Sequence, residues 1–281
     1  MAVIHQQYCC HSFSLFLLNK ALSNGTILSK IILRKIASSM GKHISTTRYN
    51  IHEKEIEKTT FAFIADFHNS DVEPVLDILV ECKVDAVLIG GDFVHNHENY
   101  ENGIDLLRQC SEKYPTFVEI GNHETKSNLD VISLVNESGA TLLDNTFTEY
   151  KGMVIGGLTT GFGFDVKQSH FKKTPEPKLD WLEGFCNQKK FKILINHHPE
   201  YYPRYLKDID IDLILSGHAH GGQWRLFGQG LIAPGQGLFP KYTSGFYDNK
   251  MIVSRGATKK NLIPRINNKP EVIIITIGRE E

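Results

Sequence analysis

Residues 61–69 read FAFIADFHN, a short apolar run that ends directly at Asp66 and His68. An apolar run of this length, rich in phenylalanine and bounded by polar residues, is typical of a buried β-strand. The two polar residues stand where such a strand ends. The sequence therefore predicts a strand that delivers a carboxylate and an imidazole at its carboxyl end.

The same pattern recurs along the chain. Polar residues follow four further apolar runs: Asp92 follows AVLIGG, Asn122, His123 and Glu124 follow FVEIG, His197 and His198 follow ILIN, and His218 and His220 follow LILSG. In open α/β sheets, ligands bind beyond the carboxyl ends of the strands. A single histidine after a strand is usually structural, but the same arrangement after five strands predicts one shared site.

Helical patterns lie between the early strands. Apolar residues recur with the period of an amphipathic helix at residues 71–82 and 102–112. The alternation of strands and helices predicts the α/β class. After Gln223 no strong helical pattern is present, and short apolar strands at 251–253 and 272–277 are separated by Gly and Pro. We expect a second sheet to form from this tail.

Composition limits the classes of partner and compartment. The chain has 281 residues, of which 41% are hydrophobic, enough for a sizeable core. Lys and Arg number 31 against 32 Asp and Glu, so no strong positive field favours nucleic acid as an obligate partner. The five cysteines are odd in number and include no CxxC pair, which fits neither a disulfide framework nor a thiolate zinc site. This pattern predicts a cytoplasmic location.

The first forty residues differ from the rest, so we predict an N-terminal extension at 1–40 and one folded domain at 41–281. Residues 26–39, TILSKIILRKIASS, mix isoleucine with Lys and Arg as a basic amphipathic helix does, which predicts peripheral contact with the cytoplasmic membrane. The alternatives are a helix packed on the domain or a frayed extension. Met40 is a further candidate for the start of the protein.

The polar residues at the strand ends form a mixed set of carboxylates, imidazoles and one amide. Such a set suits Mn, Fe or Zn and lacks the thiolates of a structural zinc site. It also holds more ligands than one ion needs. Two cations about 3.5–4 Å apart, bridged by a carboxylate, can activate water and bind a phosphoryl group. The chemistry therefore predicts hydrolysis at phosphorus.

Five motifs appear in a fixed order: DFHN (66–69), GD (91–92), GNHE (121–124), HHP (197–199) and GHAHGGQ (217–223). In order and spacing they resemble the calcineurin-like metallophosphoesterases, over nearly the whole chain from about residue 43. The tail, with VSRG (253–256) and PRINNKPE (264–271), is similar to the bacterial branch of small phosphoesterases and phosphodiesterases. The resemblance implies a four-layer α/β sandwich of two mixed β-sheets flanked by helices.

The resemblance also implies roles for single residues. It assigns seven metal ligands: Asp66, His68 and His220 for one ion, Asn122, His197 and His218 for the other, and Asp92 as the bridge. The catalytic acid would be His123, which protonates the leaving oxygen while a metal-bridging hydroxide attacks phosphorus in line. The implied cofactors are two divalent ions, Mn, Fe or Zn.

One position departs from the family pattern. Many relatives carry a carboxylate three residues after the bridging aspartate, where it orients the catalytic histidine, and this chain has His95 there. A neutral imidazole can still accept a hydrogen bond from His123, although it stabilises the charged form less. The alternative is that His95 is a solvated loop residue.

Three functions remain open on the sequence. The first is a phosphodiesterase or phosphomonoesterase acting on a small-molecule or lipid-linked ester. The second is a pyrophosphatase for a nucleotide-linked lipid precursor, and the third is a metal-binding scaffold without catalysis. None of the seven expected ligands is missing, which disfavours the scaffold. The basic N-terminal helix favours a lipid-bearing substrate.

Overall fold

A computed structural model describes residues 44–95, 100–162, 174–258 and 265–279 of the chain. The predicted extension at 1–40, with its helix at 26–39, lies outside these ranges and stays a prediction. In the part of the chain so described, no helix has both the length and the apolar character needed to cross a membrane.

The described residues form short strands and helices in alternation. The strands are β1 (Ser45–His52), β2 (Thr59–Ile64), β3 (Ala86–Gly90), β4 (Thr116–Glu119), β5 (Thr141–Leu142), β6 (Thr146–Tyr150), β7 (Met153–Leu158), β8 (Phe191–Asn196), β9 (Leu213–Ser216), β10 (Arg225–Leu226), β11 (Gln229–Gly230), β12 (Ile232–Ala233), β13 (Gly237–Leu238), β14 (Gly245–Tyr247), β15 (Met251–Val253) and β16 (Glu271–Gly278). The helices are α1 (Glu73–Cys82), α2 (Glu101–Ser111), α3 (Asn122–Lys126), α4 (Val131–Glu137) and α5 (Leu182–Cys186), with single helical turns at Pro199–Tyr201, Tyr202–Leu206 and His220–Gly222.

The first sheet has the strand order β1-β16-β2-β3-β4-β5. β2, β3 and β4 are parallel, as expected when helical connections carry the chain back to the starting edge. β16 lies between β1 and β2, parallel to the first and antiparallel to the second. The strands that precede the predicted site residues are therefore central and parallel.

The second sheet has the order β14-β15-β9-β8-β7-β6. β7, β8, β9 and β15 are parallel, and the two edge strands are antiparallel to their neighbours. Burial on both faces explains the nearly continuous apolar sequences of β8 and β9, since a parallel sheet covered on both sides has no solvent face.

The two sheets pack face to face, with Phe61, Phe63 and Leu88 of the first sheet in one apolar core with Ile193 and Leu215 of the second. Burial of a phenylalanine or leucine side chain contributes about 1.5–3 kcal/mol. A second core joins the outer face of the first sheet to α1 and α2. A third joins the second sheet to α5 and the turns after residue 198. This order of layers confirms the predicted α/β sandwich of two mixed β-sheets flanked by helices.

The expected origin of the second sheet is wrong. That sheet begins at β6, well before Gln223, and the tail supplies strands to both sheets: β14 and β15 to the second, and β16 to the first. The apolar pattern of β16 shows that both of its faces are buried, but it carries no information about which strands lie beside it. Its place in the first sheet could not be read from the sequence.

Candidate metal and phosphoester site

Five strand ends meet at one edge of the sandwich. In the first sheet, β2, β3 and β4 lead into Asp66, Asp92 and Asn122, and in the second, β8 and β9 lead into His197 and His218. The two groups are in contact, because Nε2 of His197 lies 3.9 Å from Oδ1 of Asp66 and 3.1 Å from Oδ2 of Asp92. The site is therefore built from both sheets.

Asp92 lies at the centre of this site. Its Oδ2 atom is 3.9 Å from Nε2 of His68, 3.9 Å from Nε2 of His123 and 3.1 Å from Nε2 of His197. These three imidazoles follow three different strands, so the carboxylate faces side chains from both sheets. Its Oδ1 atom accepts the backbone N–H of His123 at 2.8 Å.

The structure brings together the predicted carboxylate and imidazole ligands. Four groups of three side chains could each hold a cation, because within each group the ligating atoms lie no more than 4.8 Å apart. These groups are Asp66, His68 and His220; His68, Asp92 and His123; Asp92, His197 and His218; and His198, Glu200 and His218. The first and third groups match the two predicted sets, with Asp92 in contact with both. The fourth group was not expected. The remaining predicted ligand, Asn122, is buried at the start of α3.

The backbone at these positions is unusual. Five predicted ligands have positive φ: Asp66 (50°), His68 (46°), Asp92 (53°), His218 (63°) and His220 (46°). A side chain in the left-handed region costs about 1–2 kcal/mol per residue, and such strain collects at functional sites. The conformation turns each side chain sharply at the end of its strand. Hydrogen bonds hold the turns, since the backbone N–H of His218 donates to both carboxylate oxygens of Asp66 at 3.0 Å.

Two glycines leave room for the carboxylates. A Cβ atom at Gly121 would lie 2.4 Å from Oδ1 of Asp92, and a Cβ atom at Gly256 would lie 2.8 Å from Cβ of Asp66. Gly256 also has a φ of +79°. Any larger residue at either position would displace an aspartate of the site. The backbone at Gly121 and Gly256 therefore lies so close to Asp92 and Asp66 that only a residue without a side chain fits.

Glu124 supports the site without facing its imidazoles. Its carboxyl oxygens accept three hydrogen bonds from backbone N–H groups: from Asp92 at 2.8 Å, from Gly121 at 2.9 Å and from Val94 at 3.0 Å. The side chain is fully buried and ties the loop after β3 to the loop after β4. Burial raises the pKa of Glu124 to about 8, although the hydrogen bonds from Val94 and Asp92 act in the opposite direction. A hydrogen bond of this kind contributes about 0.5–1.5 kcal/mol, and a buried donor left without one costs about 1–3 kcal/mol. Glu124 therefore fixes the distance between the loops that carry Asp92 and Asn122.

Burial and close neighbours shift the pKa values of the aspartates and histidines in the site. Burial raises the pKa of Asp66 to about 7, partly offset by His197. Burial lowers the pKa of His68, His218 and His220 well below the ordinary value. Burial also opposes protonation of His197, but Asp92, Asp66 and Glu119 together outweigh this and hold the pKa of His197 well above the ordinary value. Burial acts on the pKa of Asp92 as well, but His197 and His123 outweigh it and hold that pKa well below the ordinary value, so it is Asp66 that lacks compensating positive charge.

The donor atoms fit divalent cations. Nδ1 of His197 lies 2.8 Å from the carbonyl oxygen of Gly90, so this nitrogen carries a hydrogen and Nε2 is the ring nitrogen left to bind a cation. Nε2 lies 3.1 Å from Oδ2 of Asp92, a separation that suits a proton or a divalent cation held between the two atoms. Among the described residues, no hydrogen-bond partner is found for Nε2 of His197, Nδ1 of His68 or Oδ1 of Asn122. The set matches the ligand chemistry of Mn, Fe or Zn.

His123 is less buried than the four histidines predicted as ligands, with 13% of its side chain exposed. Burial lowers its pKa to about 4, although Asp92 acts in the opposite direction. His95 is close to it, with the two ring centroids 4.8 Å apart at an angle of 53°. His95 also lies 5.6 Å from the ring of His68. The residue that replaces the usual carboxylate is therefore part of the imidazole cluster and not remote from it.

Two contacts at the site were not predicted. Arg265 places Nη2 3.4 Å from Nδ1 of His220, and burial lowers the pKa of its guanidinium to about 10. His198, which follows a predicted ligand, lies 2.8 Å from the hydroxyl of Thr160 and is fully buried. The PRINNKPE segment was the only sequence signal for Arg265.

Comparisons with known proteins agree with this site. A family model described as calcineurin-like phosphoesterase matches residues 59–222. The match includes every predicted ligand and ends before Arg265.

Relatives of the chain carry related descriptions. The uncharacterized metallophosphoesterase YkuE of Bacillus subtilis is 26% identical over 226 residues, which cover 77% of this chain and 76% of that protein. An uncharacterized metallophosphoesterase of Helicobacter pylori is 31% identical over 198 residues, 68% of this chain but only 50% of that protein. The phosphodiesterase YaeI of Escherichia coli is 26% identical over 229 residues, 76% of this chain and 80% of that protein. The chain therefore belongs to the calcineurin-like phosphoesterase family, and it is a metal-dependent hydrolase of phosphate esters.

Proposed function

We propose that the protein hydrolyses phosphodiesters or phosphomonoesters with a dinuclear centre of Mn, Fe or Zn. One ion is held by Asp66, His68 and His220, and the other by Asn122, His197 and His218. Asp92 is shared by both ions, and His123 is the catalytic acid. The substrate is a small-molecule or lipid-linked phosphate ester.

One observation carries the proposal. Asp92 Oδ2 faces the Nε2 atoms of His68 and His197, which follow strands of different sheets, at 3.9 Å and 3.1 Å. A carboxylate that faces imidazole nitrogens from two sides fits a bridge between two cations. The groups Asp66, His68, His220 and Asp92, His197, His218 supply ligands on either side of it.

The residues of the chain and the cations have separate tasks. When bound, two divalent cations supply a Lewis acid for the phosphoryl group and a nucleophile at neutral pH. His123 donates the proton of a ring nitrogen to the leaving oxygen. Its pKa of about 4 is too low for an acid at neutral pH, but the negative charge of a bound phosphate beside the ring raises it. Arg265 adds a fixed positive charge for a non-bridging phosphate oxygen.

The relatives support the reaction class more than the substrate. YaeI is named a phosphodiesterase, which favours a diester for this chain, whereas YkuE and the Helicobacter pylori protein have names that specify no substrate. Within one fold, loops rather than the metal ligands select the substrate. The diester is therefore our first choice of substrate class, and a monoester is the second.

The experiment is a metal and substrate analysis of the full chain. Protein purified without chelators is analysed for metal content, then stripped and reloaded with Mn, Fe or Zn. Each form is assayed on matched monoester, diester and pyrophosphate substrates. We expect about two metal ions per chain at full activity and the highest kcat/KM for an ester. Full activity with one ion, or with none, contradicts the dinuclear proposal, and a preference for pyrophosphate contradicts the proposed substrate.

A further inference from the structure

Two short hairpins next to the site expose large apolar side chains. β10 and β11 form the first hairpin, and β12 and β13 form the second. Phe227 is 99% exposed at the tip of the first, and Leu238 and Phe239 are 71% and 73% exposed on the second. Leu226 and Ile266 are also exposed. We call these five residues the apolar hairpin face.

The five residues lie on neighbouring segments. The side-chain amide of Gln229 donates to the carbonyl of Pro240 at 2.8 Å, and the backbone N–H of Phe239 donates to the carbonyl of Leu231 at 2.9 Å, so the hairpins are joined to each other. The backbone N–H of Arg225 donates to the carbonyl of Ile266 at 3.0 Å, which brings the third segment alongside. The exposed side chains therefore belong to one continuous part of the surface.

Two features of Phe227 and Phe239 are energetically unfavourable: their backbone conformation and the exposure of their rings to water. Phe227 and Phe239 have φ values of 49° and 50°, in the left-handed region that turns usually give to Gly or Asn. Each ring is also exposed to water, so it contributes none of the free energy that burial of a large apolar side chain provides. Strained residues that persist at a surface point to a function for that surface.

The charge of this surface identifies its partner. Residues 223–247 and 265–270 contain no Asp or Glu, and they include the exposed Lys241 and Lys269. Exposed apolar rings beside lysines match the interface of an anionic bilayer, where the rings enter the acyl boundary and the lysines meet lipid headgroups. A second copy of the chain fits poorly, because a twofold contact would place this positive surface against itself.

The hairpins are attached directly to the site. The backbone N–H of Leu231 donates to the carbonyl of Gly222 at 3.1 Å, and the side chain of Arg225 donates to the carbonyl of Gly221 at 2.9 Å. The turn at His220–Gly222 contains the predicted ligand His220. We propose that the apolar hairpin face binds the surface of an anionic lipid bilayer and so holds the site next to the headgroup layer.

The first test is the partition of the full chain into vesicles. Vesicles of equal parts phosphatidylcholine and phosphatidylglycerol are compared with vesicles of phosphatidylcholine alone. The double variant Phe227→Ser with Phe239→Ser should bind the anionic vesicles roughly 10- to 100-fold more weakly than the parent chain. The control is Val80→Ser, which removes a side chain that is 62% exposed on α1 and belongs to neither hairpin, and it should bind as the parent does. Unchanged unfolding midpoints show that all variants fold.

A second measurement locates the contact. The chain has two tryptophans, and Trp181→Phe leaves Trp224, at the base of the first hairpin, as the only one. Phospholipids brominated on their acyl chains should quench its fluorescence when the protein binds. This result is independent of any binding by residues 1–43, which all variants share.

Three results overturn the proposal. One is vesicle-bound protein in which Trp224 is not quenched. Another is equal partition of the double variant and the Val80→Ser control, or no binding by the parent chain. The third is a dimer in sedimentation velocity without vesicles that the double variant abolishes, which assigns the face to self-association. None of these measurements depends on catalysis, so the proposed activity stands or fails separately.

Discussion

Asp92 and His123 are in contact twice: the carboxylate accepts the backbone N–H of His123 at Oδ1, 2.8 Å away, and Oδ2 lies 3.9 Å from Nε2 of the same histidine. The first contact fixes the backbone of His123. The second leaves its ring beside the carboxylate that the two ions would share. This geometry permits two roles for His123, as an acid or as a ligand, and the two roles give different kinetics.

We expect His123→Ala to slow an alkyl phosphodiester by about 10²- to 10⁴-fold and a nitrophenyl diester far less, because an alkoxide needs a proton to leave and a nitrophenolate does not. Metal content should stay unchanged. His218→Ala is the comparison, since loss of a ligand should slow both esters alike. His95→Ala should show the His123 bias in milder form if it orients that ring. Equal slowing of both esters with loss of metal would make His123 a ligand.

Replacement of Asp92 by Asn should abolish activity and lower the bound metal. An amide keeps the shape but removes the negative charge that separates two cations. Asp85→Asn is a matched control, because Asp85 immediately precedes β3 and Asp92 follows the same strand two residues after its end. Metal analysis with kinetics on one diester provides the test. Normal turnover with full metal content in Asp92→Asn contradicts the two-ion site.

Glu124→Gln should destabilise the fold by about 1–3 kcal/mol, because the amide group of Gln cannot accept all three backbone N–H groups that the carboxylate accepts. Urea unfolding of the metal-free chain measures this effect apart from metal binding. The control is Glu137→Gln on the exposed side of α4, where the loss should be near zero. A midpoint equal to that of the control shows that Glu124 does not support the two loops.

Arg265→Ala should raise the KM for a phosphate monoester and weaken inhibition by inorganic phosphate by about 10-fold or more, since it removes a buried positive charge beside His220. Arg265→Lys should restore part of the binding. Lys269→Ala removes one exposed charge from the same segment and should have little effect. If Arg265 instead holds His220 in place, metal content falls, kcat falls with it, and phosphate inhibition of the remaining loaded enzyme is unchanged.

Gly256→Ala and Gly152→Ala separate backbone strain from steric contact. Their φ values are +79° and +78°, so each alanine should cost about 1–2 kcal/mol in unfolding free energy. Only at Gly256 would the new Cβ atom reach Asp66, at 2.8 Å, whereas at Gly152 nothing lies within 4 Å. We expect loss of metal and activity in Gly256→Ala alone. Equal activity in the two variants refutes a steric role for Gly256.

The candidate site could be predicted from the sequence because a polar residue of the site follows each of five apolar strands within three positions. The run that ends at Asp66 and the run that ends at His218 carry the same local pattern, although they belong to different sheets. Local pattern is a property of a few neighbouring residues, and the sequence contains it in full. The α/β class follows from the same alternation of strands and helices.

Contacts between distant segments were not predictable in this way. Glu124 appears in the sequence as one more polar residue after a strand, and only the structure shows that it binds the backbone of Asp92. Arg265 lies 45 positions from His220, and nothing in either segment indicates that they meet. The left-handed backbone of the ligands was also invisible, because aspartate and histidine are enriched at positive φ but adopt it in only a small minority of cases.

The position of β16 has a consequence for synthesis of the protein. β16 separates β1 from β2, and the hydroxyl of Thr47 donates to Glu271 across 224 positions of sequence. While the chain is still on the ribosome, β1 and β2 have therefore emerged long before the strand that pairs with both. The open edge of β2, two residues from Asp66, is available to other strands during that time. Chaperone binding to nascent chains should thus end only after residue 278 has left the exit tunnel.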